Sequence, residues 1–236
     1  MEYPLKEYYI RYLTNVRRVS QSSVNHYLDA INWISKYLVG KGLLQDKLFE
    51  ISDYETLEKL TDVLLNDSSF VEMNKRGHQM YTAGLNNYMR FAKGDEFESI
   101  GRELLLLDVP VEKSGTVTTE ISKWKRSGII KEQSLKMAHY ECEIDSYHKT
   151  FIAKRNGKQY MEGHHTIPLN RQASFTSSLD VYANIVCLCP ICHRLLHYGQ
   201  NTDKIPLLNK IYYTRSERLA NSGIKLSSDD FIRLAI

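Results

Sequence analysis

The sequence predicts an α+β protein, with a helical bundle in its N-terminal part followed by a strand–strand–helix unit and closing helices. Over roughly the first ninety residues, apolar residues recur at steps of three and four, the period of an amphipathic helix. Between Tyr160 and Tyr198 the pattern changes to short apolar runs separated by loops, and half of the chain's eight histidines lie there. The length of 236 residues suits one large domain or two small ones, each with its own core, and two domains are favoured.

The N-terminal helices are predicted from periodicity and from residues that favour helix ends. Ser20 supplies an N-cap and Gly40 a stop for the second helix. Ser52 is expected to open the third helix, and Gly94 to close the fourth. The predicted helices span residues 5–13, 24–38, 53–65 and 74–91.

The segment RRVSQSSVNHYLDAINWISKYL resembles the N-terminal helical (SAM-like) domain of tyrosine recombinases, which clamps DNA, and a domain that precedes nucleases in some bacterial restriction-type proteins. The resemblance covers residues 1–92 and implies that a domain of residues 1–93 reads DNA. Acidic and basic residues nearly balance here, so a helical module with a solvated charged face stays an equal alternative. The phosphate-binding candidates are Arg17, Arg18, Lys75 and Arg76.

Residues 94–135 are predicted to connect the two parts. The run LLLLDVPV within residues 94–119 is strand-like, and the segment from residue 120 is expected to be helical on either side of Gly128. This segment is basic, and Lys123, Lys125 and Arg126 are candidates for DNA contact. A solvated charged face is again the alternative.

Composition narrows the class of protein. The charged fraction of 25% and the hydrophobic fraction of 42% are typical of a globular domain. The sequence contains no apolar run of membrane-spanning length, and the start MEYPLKEYY does not resemble a signal peptide. We therefore expect a cytoplasmic protein whose cysteines bind metal and do not form disulfides. The net charge of +3 permits a nucleic-acid partner without requiring one.

A structural zinc site is predicted from the CPIC motif. The turn between Cys189 and Cys192 lets two thiolates reach one tetrahedral ion. Cys142 is expected to be the third ligand and His148 the fourth, although Asp145 occupies the position where a second cysteine would complete a matching knuckle. The alternative is that Cys142 binds no metal and is only a small buried hydrophobic residue. Cys187 is given this second role because it lies in an apolar run.

The histidines predict a second metal site. We expect strands at residues 160–165 and 184–188 and a helix at residues 190–198, ended by Gly199. His193 and His197 are four residues apart and share a helix face, so both can bind one ion, with His164 as a third ligand. Because side chains alternate along a strand, His164 and His165 point in different directions. His165 is therefore left as a base that does not bind the ion.

The motifs GHHTIPL and CPICHRLLH, with Asn184 between them, resemble those of the HNH or ββα-metal nucleases, among them the nuclease colicins and McrA-like restriction endonucleases. The resemblance covers residues 140–199, within a predicted nuclease domain of residues 136–236. It implies that His165 is the general base and that Asn184 braces the loop. It also implies catalytic metal ligands at His164, His193 and His197.

The expected activity is metal-dependent hydrolysis of double-stranded DNA that leaves a 5′ phosphate, with structural Zn and a catalytic Mg, Mn, Ni, Co or Zn ion. A restriction enzyme, type II or modification-dependent, is favoured, and RNA cleavage stays open. Residues 203–236 are predicted to form closing helices that help a homodimer to form, and Ser227 or Ser228 is expected to cap the last of them.

Other function classes are also considered. A zinc-organised DNA-binding module without catalysis would leave His164, His165 and His197 unexplained, and a nuclease of a mobile element or a toxin stays open. A recombinase is disfavoured because Tyr212 and Tyr213, near two arginines, form no convincing nucleophile site.

Overall fold

The computed structural model describes residues 4–112, 116–117 and 123–236, and it divides the chain into two compact units, Met1–Asp95 and Glu96–Ile236. The first unit is helical, and the second combines helices with short antiparallel strands. The predicted α+β class is therefore confirmed. Among the described helices, none combines the length and the apolar character needed to cross a membrane.

The first unit is a bundle of five α-helices within its described residues, and a π-helical turn at Tyr12–Val16 extends the first. Tyr9, Tyr88 and Phe91 lie together in its core, with ring centroids 5.2 to 6.0 Å apart. A Cβ on Gly84 would lie 2.5 Å from the Cβ of Ala30, so glycine lets the second and fifth helices approach closely. The helices are α1 Pro4–Arg11, α2 Gln21–Gly40, α3 Tyr54–Leu65, α4 Ser68–Arg76 and α5 Met80–Lys93.

The prediction of one helix over residues 74–91 is wrong, because the chain turns between α4 and α5. His78 and Gln79 have φ angles of 51° and 65°, which a continuing helix cannot accommodate. The buried side chain of Asn74 holds this turn: its Nδ2 donates to Gln79 Oε1 at 2.5 Å, and its Oδ1 accepts from the backbone N–H of Thr82 at 3.2 Å. The apolar period continues across the turn and conceals the break.

Three smaller expectations also need correction. Asp53, not Ser52, caps α3, since its carboxylate accepts from the N–H of Thr56 at 2.9 Å. The leucine run begins as a 3₁₀ helix at Arg102–Leu107 and not as a strand. Before Gly128 the chain forms a short strand, Lys123–Trp124, where a helix was expected. Ser20 does cap α2, as predicted, by accepting from the N–H of Ser23 at 3.2 Å.

The centre of the second unit is an antiparallel sheet of two strands, Glu162–His165 and Ile185–Leu188, and the helix that follows it, Pro190–Tyr198. In this sheet His164 pairs with Val186 and His165 with Ile185. Every residue of the second of these strands, Ile185–Leu188, is buried. The elements are β1 Thr116–Val117, β2 Lys123–Trp124, α6 Gly128–Met137, β3 Glu162–His165, β4 Ile185–Leu188, α7 Pro190–Tyr198, α8 Asn201–Asn221 and α9 Ser228–Ala235. The last helix is capped by Ser227, one of the two predicted residues.

Arg215 fastens α8 to the sheet. Arg215 is 7% exposed, and its guanidinium donates to the carbonyl oxygen of Tyr182 at 2.9 Å and forms an ion pair with Glu143. The other carboxylate oxygen of Glu143 accepts from the N–H of Cys187 in β4 at 2.7 Å. A helix that lies outside the histidine and cysteine motifs therefore supports the strand that leads into α7.

We predict that Arg215→Ala lowers the free energy of unfolding of the second unit by about 3 kcal/mol, since it leaves a partly buried carboxylate and a buried carbonyl without their partner. The two tryptophans of the chain, Trp33 and Trp124, lie in different units. Urea unfolding of a Trp33→Phe background, followed by the fluorescence of Trp124, reports on the second unit alone.

The matched control is Arg233→Ala in the same background. Arg233 pairs with Asp230 on the surface of α9, where its side chain is 77% exposed, so its loss should cost less than about 1 kcal/mol. Equal effects of the two substitutions would contradict the supporting role of Arg215.

Candidate active site

Four side chains of the second unit converge in a cluster suited to zinc: Cys142, His148, Cys189 and Cys192, whose ligand atoms all lie within 4.8 Å of one another. His148 Nδ1 is 3.6 Å from Cys189 Sγ and 3.5 Å from Cys192 Sγ. Tetrahedral zinc with ordinary Zn–S and Zn–N bonds separates sulfur from nitrogen by about 3.5 Å. The spacing of this Cys3His cluster therefore fits zinc.

The backbone around the cluster positions the sulfurs. Cys189 is the N-cap of α7, and its Sγ accepts from the N–H of Cys192 at 3.4 Å. Burial raises the pKa of Cys142, but backbone N–H groups, including that of Cys189, and the imidazole of His148 outweigh burial and lower it to about 7. A thiol whose pKa is lowered gives up its proton more readily to a metal.

Asp145 lies behind His148 and not among the sulfurs. Its Oδ2 is 3.8 Å from His148 Nε2, and its Oδ1 accepts from the N–H of Tyr147 at 2.9 Å. Of the two candidates for a fourth ligand, the structure thus brings His148 to the thiols. Cys187, in contrast, is fully buried within β4, where it was expected as a small hydrophobic residue.

A second cluster brings together His164 at the end of β3 with His193 and His197 on one face of α7. Their ring centroids are 4.7 to 5.0 Å apart, and one ligand atom from each lies within 4.8 Å of the others. Burial, then the neighbouring His193 and His197, lowers the pKa of His164 to about 3. Burial and His193 also lower the pKa of His197. Neutral imidazole is the form that binds metal, so this triad could hold a divalent ion.

Glu162 lies behind the triad and was missed by sequence reasoning. Its Oε2 is 2.5 Å from His193 Nδ1, although the directions of the two groups do not make a regular hydrogen bond, and its Oε1 accepts from the hydroxyl of Tyr160 at 3.0 Å. A carboxylate next to one ring nitrogen leaves the other nitrogen for a metal. Side chains alternate along a strand, so residues two apart lie on the same face. The position of Glu162 two residues before His164 could therefore have indicated that Glu162 lies near the triad.

His165 lies beside the triad with a partner of its own. Its Nε2 is 2.7 Å from Oδ1 of Asp180, a residue in the loop between β3 and β4 that sequence reasoning also missed. His165 and the three histidines of the triad line one cleft with a volume of about 300 Å³. The cleft therefore combines a cluster that could hold a metal with a separate imidazole.

Asn184 fixes the loop that separates the two strands. Its side chain is fully buried, accepts from the N–H of Ile167 at 2.8 Å and donates to the carbonyl oxygens of Ile167 and Leu179, each at 2.9 Å. Its own carbonyl oxygen accepts from the N–H of Thr166 at 2.9 Å. These bonds join both ends of the loop, including the residue that follows His165.

The predicted DNA-contact residues lie in different places. Arg126 is exposed and lines the histidine cleft. Lys204, which was not predicted, also lines the cleft, but it is buried and its Nζ donates to the carbonyl oxygen of His197 at 3.4 Å. Lys125 is exposed, and the side chain of Lys123 is outside the described residues. Four more belong to the first unit, where Arg17 is half-buried and the other three are exposed: Arg18, Lys75 and Arg76.

Sequence comparisons relate parts of the chain to known proteins. Residues 149–199, which carry the histidine triad, His165, Asn184 and both cysteines of the CPIC motif, match the family model described as HNH endonuclease. Over 80 residues the chain is 34% identical to a type IV methyl-directed restriction enzyme, EcoKMcrA, from Escherichia coli strain K12. That match covers 34% of this chain and 27% of the relative. No solved structure matches the chain. The predicted resemblance to HNH, McrA-like nucleases is confirmed.

Proposed function

We propose that the protein is a metal-dependent DNA endonuclease of a restriction system that hydrolyses phosphodiester bonds in the histidine cleft. One observation carries the proposal: His165, held by Asp180, lines the same cleft as a triad of histidines suited to a metal. A structural site would have no need of an imidazole kept apart from the triad.

The residues of the cleft divide the work between them. His165 acts as the general base, taking a proton from the water that attacks phosphorus. His164, His193 and His197 hold the catalytic ion. That ion would supply positive charge against the negative charge that develops on the phosphate and its leaving oxygen. Asn184 keeps the loop, and with it the position of His165, fixed.

The zinc cluster has a structural role in this proposal. It ties Cys142 and His148, which precede the sheet, to the N-terminus of α7. Two of the triad histidines lie on α7, so an ordered N-terminus of this helix keeps their spacing. Zn is proposed for this cluster, and Mg, Mn, Ni, Co or Zn for the triad.

Double-stranded DNA is the proposed substrate. Arg126 places an exposed positive charge at the cleft, which suits the phosphates on either side of the bond that is cut. Lys123 and Lys125 precede Arg126 in the chain and extend this basic segment. We propose that a domain of residues 1–93 reads DNA and that its Arg17 and Arg18 contact phosphates. We further propose a homodimer, since two clefts would cut both strands.

Dependence on DNA methylation is the finer part of the proposal. The relative from Escherichia coli is named as methyl-directed, and this chain covers about a quarter of its length. Of the two restriction roles, that name favours an enzyme that depends on DNA modification. The alternative is a type II enzyme that acts on unmodified DNA.

The test is digestion of methylated and unmethylated copies of the same plasmid with each of the five metals, followed by sequencing of the ends. We expect cleavage of the methylated plasmid with ends that carry a 5′ phosphate. Cleavage of both copies alike would reject dependence on methylation but keep the nuclease. DNA binding without cleavage in every metal would reject the nuclease and support a zinc-organised DNA-binding module.

A further inference from the structure

Asp180 is the unexpected partner of His165. The two side chains are 11% and 14% exposed, and the carboxylate Oδ1 lies 2.7 Å from the imidazole Nε2. A neutral imidazole has one N–H donor and one acceptor nitrogen. Because a carboxylate only accepts, the proton of the ring belongs on Nε2 in this arrangement, and the lone pair is left on Nδ1.

The second carboxylate oxygen of Asp180 is held from the opposite side. Asp180 Oδ2 accepts from the backbone N–H of Ser127 at 2.6 Å. Ser127 is the N-cap of α6, and its hydroxyl accepts from the N–H of Ile130 at 3.2 Å. Since a backbone N–H can only donate, each oxygen of Asp180 faces a donor, and the carboxylate is fixed between the helix and the histidine.

The backbone on either side of Asp180 is also fixed. The N–H of Asp180 donates to the hydroxyl of Ser178 at 3.0 Å, and the N–H of Leu179 donates to Gln172 Oε1 at 2.7 Å. The carbonyl oxygen of Leu179 accepts from the amide of Asn184 at 2.9 Å. Asn184 thus holds the residue next to Asp180.

We propose that Asp180 is a positioning residue, which holds His165 as the tautomer with its proton on Nε2 so that Nδ1 can take the proton of the attacking water. The inference rests on the proposed function, in which His165 is the base. A buried aspartate also orients the histidine of the serine protease triad, where it binds Nδ1–H and leaves Nε2 as the base. The alternative is that Asp180 only ties the loop to α6.

Asp180→Asn separates the two roles because asparagine has nearly the same shape. The N–H of Ser127 requires the amide oxygen on its side, so the amide NH2 faces His165 and donates to Nε2. The ring proton then moves to Nδ1, and the base loses its lone pair. We expect the cleavage rate at saturating DNA to fall about 10²- to 10⁴-fold, with DNA affinity and the unfolding midpoint unchanged.

Asp180→Ala is the matched comparison. It removes the partner of His165 without imposing the wrong tautomer, so we expect a smaller loss of cleavage rate than for Asp180→Asn. A role limited to tying the loop predicts the reverse order, since asparagine preserves shape and hydrogen bonding and alanine does not. Alanine being the more damaging substitution would therefore overturn the proposal.

The tautomer can be read without catalysis by ¹⁵N NMR of the full chain at pH 8, with His165→Gln to assign the signal. We expect a proton on Nε2 in the wild type and on Nδ1 in Asp180→Asn. A proton on Nδ1 in the wild type, or unchanged cleavage after the tautomer has switched, would overturn the proposal. If the wild type cleaves no DNA, the proposed function fails, whereas the NMR result still decides whether Asp180 sets the tautomer.

Discussion

Replacement of His165 by alanine is expected to lower the rate of phosphodiester cleavage about 10²- to 10⁴-fold, because proton transfer by a positioned side chain contributes on that order. The loss should appear in the rate at saturating DNA and not in the affinity for DNA. The triad and the zinc cluster do not include His165, so metal content should also stay the same. Single-turnover cleavage of a labelled duplex and a binding titration on the same duplex measure the two quantities.

His26→Ala is a suitable control for that substitution. His26 is exposed on α2, in the other unit and within a helix that tolerates alanine. Its cleavage rate at saturating DNA should equal that of the wild type. Full activity of His165→Ala would remove the general base from the mechanism.

The second large effect is expected at the zinc cluster. Cys189→Ala removes a zinc ligand and the N-cap of α7 together. Structural zinc binding contributes about 10–16 kcal/mol in zinc-finger peptides, far more than a small domain can lose. We therefore expect the variant to lose its zinc and the second unit to lose its cooperative unfolding transition. Mass spectrometry under native conditions counts the zinc, and the fluorescence of Trp124 follows the fold.

Cys187→Ala is the matched control because Cys187 is also a buried cysteine close in sequence, but lies outside the cluster. Its loss should leave the zinc in place and cost about 1 kcal/mol through the small cavity it leaves. If Cys189→Ala keeps its zinc, or if Cys187→Ala loses it, the assignment of the ligands is wrong.

The strand–strand–helix arrangement could be predicted from sequence because its signals are local. His193 and His197 share a helix face through their spacing, and the alternation of strand residues separates His164 from His165. Gly199 ends α7 at the expected position. Such features depend on residues that are close together in the chain, so the helix and strand periods are sufficient to predict them.

The partners of these histidines could not be predicted in the same way. Asp180 meets His165 across a loop, and the N–H of Ser127 that holds it comes from a distant helix. Neither contact leaves a periodic trace in the sequence. Arg215 likewise reaches Glu143 and Tyr182 only because α8 folds back on the sheet. Long-range polar contacts of this kind depend on the tertiary fold.

The break between α4 and α5 could not be predicted either, although the contacts that form it are local. Both helices bury apolar faces, so the period predicts one helix, whereas Asn74 and Gln79 form a turn through side-chain bonds that periodicity does not register. Polar residues that hydrogen-bond locally compete with the helix, and only their geometry shows which prevails.

The most direct test of the central claim is a manganese titration of the zinc-loaded protein, with metal binding and single-turnover cleavage measured on the same samples. We predict that one manganese ion binds per chain and that cleavage rises with the same dependence on manganese concentration. His164→Ala/His193→Ala should keep its zinc and its DNA binding and lose both the manganese and the cleavage. Cleavage at the wild-type rate by that double variant would contradict the account.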